Sequence, residues 1–584
     1  MSPGEVRPGS EHLATIEDED EQRRLPVFHL VGLAAGGVIG SGWMLGAVSA
    51  YGKAGSDAYL AWVFGGLLML LIAGVMVELG TAAPKTGGLI FLPLQSSGPL
   101  VATVAAAGLW LLYAINAASE AVAMTRGLSW KVPSLLTHSG NTLTVKGWCC
   151  TLAFMVVISA VNLVTPRLFF RINSWLTVVK VVVPVLTVVL LIASGFDHHH
   201  GPHASAAAGR GVGAALAAVV GSGVIYAYVG FQGPLDFAGN IRRRGIGEAA
   251  RLRWAVFGTI IGSMVLYIAL EVVFTRYQAY WHPADPDSPY TQFALAASMW
   301  WLGWLLRIDA LVSPMGAGLV FAHALTREVA ALSRAHLTHR GLQTARMASL
   351  KRRYDVYWLV LVVDCVVGGI VLVAVGGSWD TLVAVTGILT LVVYGFPGVV
   401  LVSLRDHLTG YSRQRRNFHE VLARVSFALI ALILYGAGWA ALWRGMTILA
   451  AGWVLLLGLP VLSRRLPVFS RIYDAKEHVT LFRRWRTEPT ATAAIWFIGD
   501  LVALMLLTLL GNSSVGIHKE LRVGFLVVAT ALAAFEGLVR TSKRHMADVP
   551  PMLPSPTPTP TPAPTPTPAP PSAPSGPAAS EAPG

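Results

Sequence analysis

Apolar runs long enough to cross a bilayer follow one another along most of the chain, separated by short polar connections. A hydrocarbon core of ~30 Å requires ~20 residues at ~1.5 Å per residue. Fourteen runs meet that requirement, centred near Ile39, Leu68, Leu111, Met155, Pro184, Ile225, Ile261, Gly316, Val366, Leu389, Ile430, Val454, Leu504 and Val528. The pattern predicts an all-α polytopic membrane protein of about 14 transmembrane helices. Basic residues crowd into alternate connections: Arg167 and Arg171; Arg242, Arg243, Arg244, Arg251 and Arg253; then the stretches 327–353, 405–424 and 464–486. The intervening connections hold scattered charges such as Lys53, Arg126 and Arg210. Short basic loops stay inside, so both termini are expected to be cytoplasmic, in an inner membrane whose lipid surrounds the helices.

Composition changes this picture little. The 584 residues are 54% hydrophobic and 13% charged, with a mean hydropathy of +0.59. The net charge of +13 is accounted for by the basic loops, so it is a topology signal and no nucleic-acid partner is expected. Cys149, Cys150 and Cys365 all lie in apolar runs and offer neither a disulfide framework nor metal spacing. The start, residues 1–24, is acidic and polar without an apolar stretch of its own, which argues against a cleavable signal peptide and predicts a disordered cytoplasmic segment. From Pro550 the chain becomes a Pro/Thr/Ala repeat, expected to be extended and disordered.

Two runs are poor plain anchors. The first contains GGVIGSGWMLG, with Gly36, Gly37, Gly40, Gly42 and Gly46 around Ser41. Each glycine destabilises a helix interior by ~1 kcal/mol relative to alanine. Close helix packing through small residues is the simpler reading of one such stretch. The sixth run, however, is also interrupted: YAYVGFQGPLDFAGN carries Gly230, Gly233 and Pro234 near its middle. Pro234 lacks an N–H and displaces the carbonyl of Gly230. Broken helices at membrane depth are tolerated where they line a cavity, and a pair in corresponding positions points to a midplane site in an inverted-repeat transporter.

Other polar residues inside apolar runs are candidates for the same interior. Tyr113, Asn116 and Glu120 share one face of the third run at i, i+3 and i+7. Asn116 either lines a pocket or bonds a neighbouring helix. Lys180 stands among valines in the fifth run. It either snorkels to the interface or, desolvated, takes up and releases a proton. Glu78 precedes the helix stop Pro84–Gly88 and is read as an interfacial carboxylate near Lys85 or a gating group. Asp309 and Arg307, at i and i+2, do not face one another, and an outer gate or interfacial pairing suits them equally. His198, His199, His200 and His203 read as a solvated loop. No Arg in the first, third, sixth or tenth run announces itself as the partner of a side-chain carboxylate.

GGVIGSGWMLG, then VELGTAAPKTGG, then YVGFQGPLDFAGN followed by a basic loop, resemble the amino acid–polyamine–organocation permeases, and within them the subgroup that includes an aspartate–proton symporter. The likeness covers roughly residues 25–460. It implies a five-plus-five inverted-repeat transporter fold with discontinuous helices 1 and 6. The expected layout is a ten-helix transport core over 25–404, helices 11–12 over 405–465, a basic cytoplasmic loop with two extra helices over 466–544, and the disordered tail over 545–584. The resemblance also implies that the substrate's amino and carboxylate groups lie against Ile39, Gly40, Ser41 and Gly42, faced by Tyr228, Val229, Gly230 and Phe231. Tyr228 or Phe231 would be an aromatic lid. Free amides at a half-helix N-terminus suit a carboxylate, and carbonyls at the opposite end accept an ammonium. Lys180 looks like the residue that replaces a sodium ion in proton-coupled members, with carbonyls near Gly36 and Gly37 and the Ser313 hydroxyl as implied neighbours. The chain departs from the family after the sixth run, where Gly239–Asn240 precedes IRRRG and the usual glutamate is missing.

The reading is a secondary amino-acid transporter taking substrate up with a proton, with an acidic substrate implied only by the subgroup. An amino acid/amine exchanger is the nearest alternative, and a membrane sensor that binds amino acid without moving it is another. Nothing in the sequence supports an enzyme: there are no paired catalytic carboxylates and no nucleophile elbow. No cofactor or metal is expected.

Overall fold

Each of the fourteen apolar runs is helical in the computed structural model, and the first and sixth are interrupted within their glycine-bearing stretches. The structure describes residues 27–83, 88–137, 142–163, 166–194, 208–236, 246–334 except 284 and 286, 355–408, 413–465, 487–512 and 517–549, with the isolated positions 338, 342, 347–348 and 484. The first span is two helices, Val27–Val38 and Gly42–Ala54. The sixth comprises Gly211–Gly221, Val224–Tyr228 and Gly233–Asp236. Among the described residues, ten helical stretches are long and apolar enough to cross a membrane, the first of them joining spans one and two, and Val145–Val161, Gly211–Gly221 and Trp358–Ala374 are shorter apolar helices. A two-residue antiparallel ladder between Met347–Ala348 and Asp355–Val356 is the non-helical regular element among the described residues.

Spans three (Pro99–Leu128) and ten (Trp379–Leu404) form the centre, with nearly all of their residues buried. Span three can sit there because it is built from small residues: Ala105, Ala106, Ala107, Gly108, Ala114, Ala117 and Ala118 let neighbours approach closely. Span eight (Trp300–Arg334) and span ten pack along it. Span five (Pro166–Ala193) lies against the first half of span one and is two-faced. Val178, Val182, Val185, Val189 and Ile192 are exposed on its outer face, whereas Lys180, Val183, Thr187 and Leu191 point inward at helical spacing. Lys180 is 0% exposed, so the snorkelling reading is corrected: the inward stripe carries it into the bundle.

The two additional spans, Pro489–Asn512 and Ile517–Asp548, pack on each other and on spans ten and eleven (Arg413–Gly436). The last helix runs to Asp548, beyond the expected boundary at 544. It also grips the short helix Gly88–Ser97 that joins spans two and three. Ser97 and Ser542 share a 2.8 Å hydrogen bond, and Arg424 donates to Glu536 at 2.7 Å. The amino-terminal segment, the histidine loop, Lys85, Gly239–Asn240 and the Pro/Thr tail lie outside the described residues.

Candidate functional site between the broken spans

The two breaks meet backbone to backbone. A Cβ on Gly37 would lie 2.8 Å from the Cα of Gly230, and Gly230 itself has φ +126°, a region that side chains other than hydrogen disfavour. Glycine is therefore needed on both sides of this crossing. The Tyr267 hydroxyl of span seven (Ile246–Tyr277) ties the breaks together, within hydrogen-bonding distance of the Val38 carbonyl (2.9 Å) and the Ala227 carbonyl (3.0 Å). Gly230 N–H is satisfied by Gln232 Oε1 at 2.8 Å.

Side chains from three other spans address the groups that the first break frees. Glu120 of span three accepts the Ser41 N–H at 2.9 Å, and a Cβ on Gly40 would strike the same carboxylate. Tyr226 donates its hydroxyl to Glu120 at 2.7 Å and lies 2.8 Å from Ser119 Oγ. Trp379 Nε1 of span ten donates to Ser41 Oγ at 3.1 Å. From span five, Lys180 Nζ donates to the Gly36 carbonyl at 2.5 Å. Lys180 also lies against span eight, where a Cβ on Gly316 would meet its Nζ at 3.0 Å. Buried charges at membrane depth are costly unless paired and mark ion or proton pathways. Among the described residues, no group of three His, Cys, Asp or Glu side chains stands ready to hold a metal ion.

A cavity of about 1200 Å³ opens from the end of span one that carries Lys53 and reaches down to Gly40 and Ser41, past Met44, Arg126, Trp379 and Asp380. At the other face Glu78 is buried and pairs with Arg415 at 2.9 Å, with His419 at 3.4 Å and Arg253 at 3.9 Å. On the same side, His323 stacks on Phe169 at 3.9 Å and His29 bonds Ser174 at 2.7 Å. Among the described residues, the large cavity opens at the Lys53 face, and the Glu78 face is held together by these contacts. Glu78, read as an interfacial carboxylate near Lys85 or as a gating or helix-orienting group, is buried at the centre of these pairs, and Lys85 lies outside the described residues.

The residues named from the sequence come together unevenly. Gly40 and Ser41 floor the cavity, and Ile39 is buried at the break. Gly42 abuts Ala227: a Cβ there would be 2.8 Å from the alanine Cβ. Tyr228, Val229, Gly230 and Phe231 are buried below the cavity rather than on its wall. Tyr228 donates to the Trp62 carbonyl at 3.1 Å and Phe231 packs edge-on to Tyr394, so neither covers the cavity as a lid in this state. Asn116 is buried with its Oδ1 unbonded among the described residues. Ser313 donates to both oxygens of Asp309, at 2.9 and 2.8 Å, rather than accepting from Lys180. Asp309 is itself buried, while Arg307 turns away to a two-pronged pair with Asp287. Burial sets aside the interfacial expectation for Asp309.

Glu120 was legible as an intramembrane acid but not as the partner of Ser41, because that contact joins residues far apart in sequence. Trp379 gave no signal beyond starting a helix. Arg126 was assigned to a loop, yet span three runs to Leu128 and carries it on the cavity wall.

A helical membrane protein whose first and sixth spans are broken around a midplane cavity has the architecture of a secondary transporter. The amino acid permease family model matches residues 25–462, and the chain belongs to that family. It is 27% identical to the glutamate/serine transporter AimA of Bacillus subtilis, over 88% of this chain and 92% of that protein. The aspartate-proton symporter of the same organism is 24% identical over 85% of this chain and 92% of its own length. The aromatic amino acid transport protein AroP of Escherichia coli strain K12 matches over only 32% of this chain, at 26% identity. The AimA match covers more of the chain than residues 1–462 can supply, so it extends into the additional spans.

Proposed function

We propose that the protein takes up amino acids across the cytoplasmic membrane by alternating access, each substrate entering with a proton. In this reading the Lys53 face is external and both termini are cytoplasmic, in accord with the basic loops. The observation that carries it is the placement of Lys180 on the Gly36 carbonyl, one turn from the Ser41 amide that Glu120 holds. Lys180 and Glu120 thus each contact the same broken stretch of span one. The Ser41 N–H is the donor for the substrate carboxylate, and carbonyls ending the first half-helix receive the ammonium. Binding therefore competes with Glu120 for one amide, while Lys180 gains or loses its proton as the break rearranges. Similarity to a glutamate/serine transporter and an aspartate-proton symporter supports both the substrate class and the coupling.

The test is uptake of labelled amino acids into proteoliposomes under an imposed proton gradient without sodium. Accumulation above equilibrium, abolished by collapsing the gradient, is expected. Exchange of preloaded substrate without net accumulation contradicts symport.

A further inference from the structure

Span seven holds a buried acid that the site described above leaves unused. Glu271 is 0% exposed and lies near the Tyr277 end of the helix. Trp62 of span two (Ala58–Ala82) donates its indole N–H to Glu271 Oε2 at 2.8 Å. The other oxygen, Oε1, is buried without a hydrogen-bond partner among the described residues. The titratable side chains nearby are tyrosines: Tyr267 on the preceding turn, Tyr228 of span six against it, Tyr51 of span one against Phe274, and Tyr290 of the short helix Pro289–Ala296. Lys53 of span one and Lys180 of span five donate to the carbonyls of Gly221 and Gly36. Arg276, five residues further on, is exposed on another face of the helix. Ionised, Glu271 would be a buried charge met by one indole N–H among the described residues, which is costly; with a proton it is neutral.

Trp62 links this acid to the crossing of the breaks. Its indole lies 4.9 Å from the Tyr267 ring and edge-on to Tyr228 at 6.2 Å. Its carbonyl accepts the Tyr228 hydroxyl at 3.1 Å. A Cβ on Gly46 would lie 3.0 Å from the far end of the indole, so the ring also seats the second half of span one. Tyr267 is the residue that reaches the Val38 and Ala227 carbonyls. Through one side chain, Glu271 bears on both broken spans. An aromatic layer stands between it and the cavity: Tyr290 donates to the Leu270 carbonyl at 3.1 Å and stacks on Trp43 at 5.6 Å. Their chain neighbours Pro289, Thr291 and Met44 line the cavity.

We infer that Glu271 is a positioning residue that serves transport in its protonated form, setting Trp62 against the crossing of the two breaks. Loss of the proton draws water between Trp43 and Tyr290 to the new charge, loosens the seat of Trp62 and slows turnover. Deprotonation comes with rising pH, so the effect is a fall of kcat on the alkaline side. The inference rests on the amino-acid transport proposed above. It concerns a proton that stays with the protein, separate from the one that drives accumulation.

The experiment measures exchange in proteoliposomes of the labelled amino acid that the wild type carries best from an acidic, neutral, basic and aromatic panel. Substrate is saturating and the pH is equal on both faces, so that no gradient enters. Wild type, Glu271→Gln, Glu271→Ala and Trp62→Phe are compared from neutral to alkaline pH. Wild-type kcat is expected to fall on the alkaline side. Glu271→Gln, which cannot ionise, is expected to match wild type at neutral pH and to lose that fall. Glu271→Ala leaves the indole N–H unbonded and is expected to lower kcat roughly tenfold at every pH. Trp62→Phe withdraws the hydrogen bond from the ionised form, and is expected to move the fall to higher pH. A wild type without an alkaline fall, Glu271→Gln with the wild-type fall, or Glu271→Ala with wild-type kcat overturns the inference. So does a Glu271→Gln that reaches the membrane but is inactive at every pH. If Glu271→Gln does not reach the membrane, Trp62→Phe decides, and an unmoved fall overturns the inference. A wild type that exchanges no amino acid overturns the transport reading and this inference with it, whereas every other outcome leaves transport standing.

Discussion

The carboxylate of Glu120 accepts the backbone N–H of Ser41 at 2.9 Å, so a side chain from span three already occupies the amide that the proposed function gives to the substrate carboxylate. Substrate and Glu120 cannot both hold that donor. Displacing an ionised acid within a buried site is costly unless it is protonated or paired. The groups within hydrogen-bonding distance of Glu120 are the Tyr226 hydroxyl and the Ser41 N–H.

Replacing Glu120 with Gln keeps the acceptor for Ser41 but removes the titratable charge. The variant is expected to bind substrate with a KM whose pH dependence is flattened relative to wild type. Uptake at a series of external pH values checks this. An unchanged profile would remove Glu120 from the proton-linked step and leave Lys180 and Asp309 to account for it.

At the crossing of the breaks, Gly230→Ala is expected to abolish uptake while the protein still reaches the membrane. Its φ of +126° and a new Cβ at 2.6 Å from the Gly37 Cα both oppose the substitution. Gly258→Ala in span seven, where a Cβ would meet nothing within 4 Å, is the matched control and should transport normally. Equal uptake by the two would contradict a required backbone contact.

Closure at the opposite face depends on Glu78 meeting Arg415, His419 and Arg253. Both arginines are partly exposed, so each pair is screened and individually weak. Glu78→Gln is expected to loosen the closed face and speed efflux of preloaded substrate a few-fold. Unaltered efflux would make the cluster a structural clamp only.

The additional spans and the tail should behave differently on truncation. A chain ending at Pro550 is expected to transport like the full protein, because a Pro/Thr repeat has no apolar face to pack. A chain ending at Glu488 loses the helix that bonds Ser97 and Glu536's partner Arg424, and should denature several degrees lower in detergent. A melting temperature equal to the full chain's would show that spans ten and eleven do not need this cover.

Much of the architecture could be read from residue order because each feature is local. Hydrophobic length set the spans, and Gly36–Gly46 and Gly230–Pro234 marked the breaks. Lys180 was conspicuous among valines, but its direction was settled by the helix as a whole, with Val178 and Val182 turned outward and Val183 and Thr187 inward. What could not be read was pairing between spans. Ser313 was expected to serve Lys180, yet Asp309, one turn earlier on its own helix, takes both of its contacts. Tyr228 and Phe231 were placed over the substrate, whereas aromatic neighbours at Trp62 and Tyr394 hold them in the core of this state. Arg126 was hidden by a helix that runs further than its apolar run implied.

The central claim is that Lys180 couples amino-acid movement to protons. The most direct measurement compares wild type and Lys180→Ala in proteoliposomes, with and without an inward proton gradient and in the absence of sodium. The account predicts gradient-driven accumulation in wild type, and in the variant only equilibration that ignores the gradient. Accumulation by Lys180→Ala with the wild-type response to the gradient would contradict it.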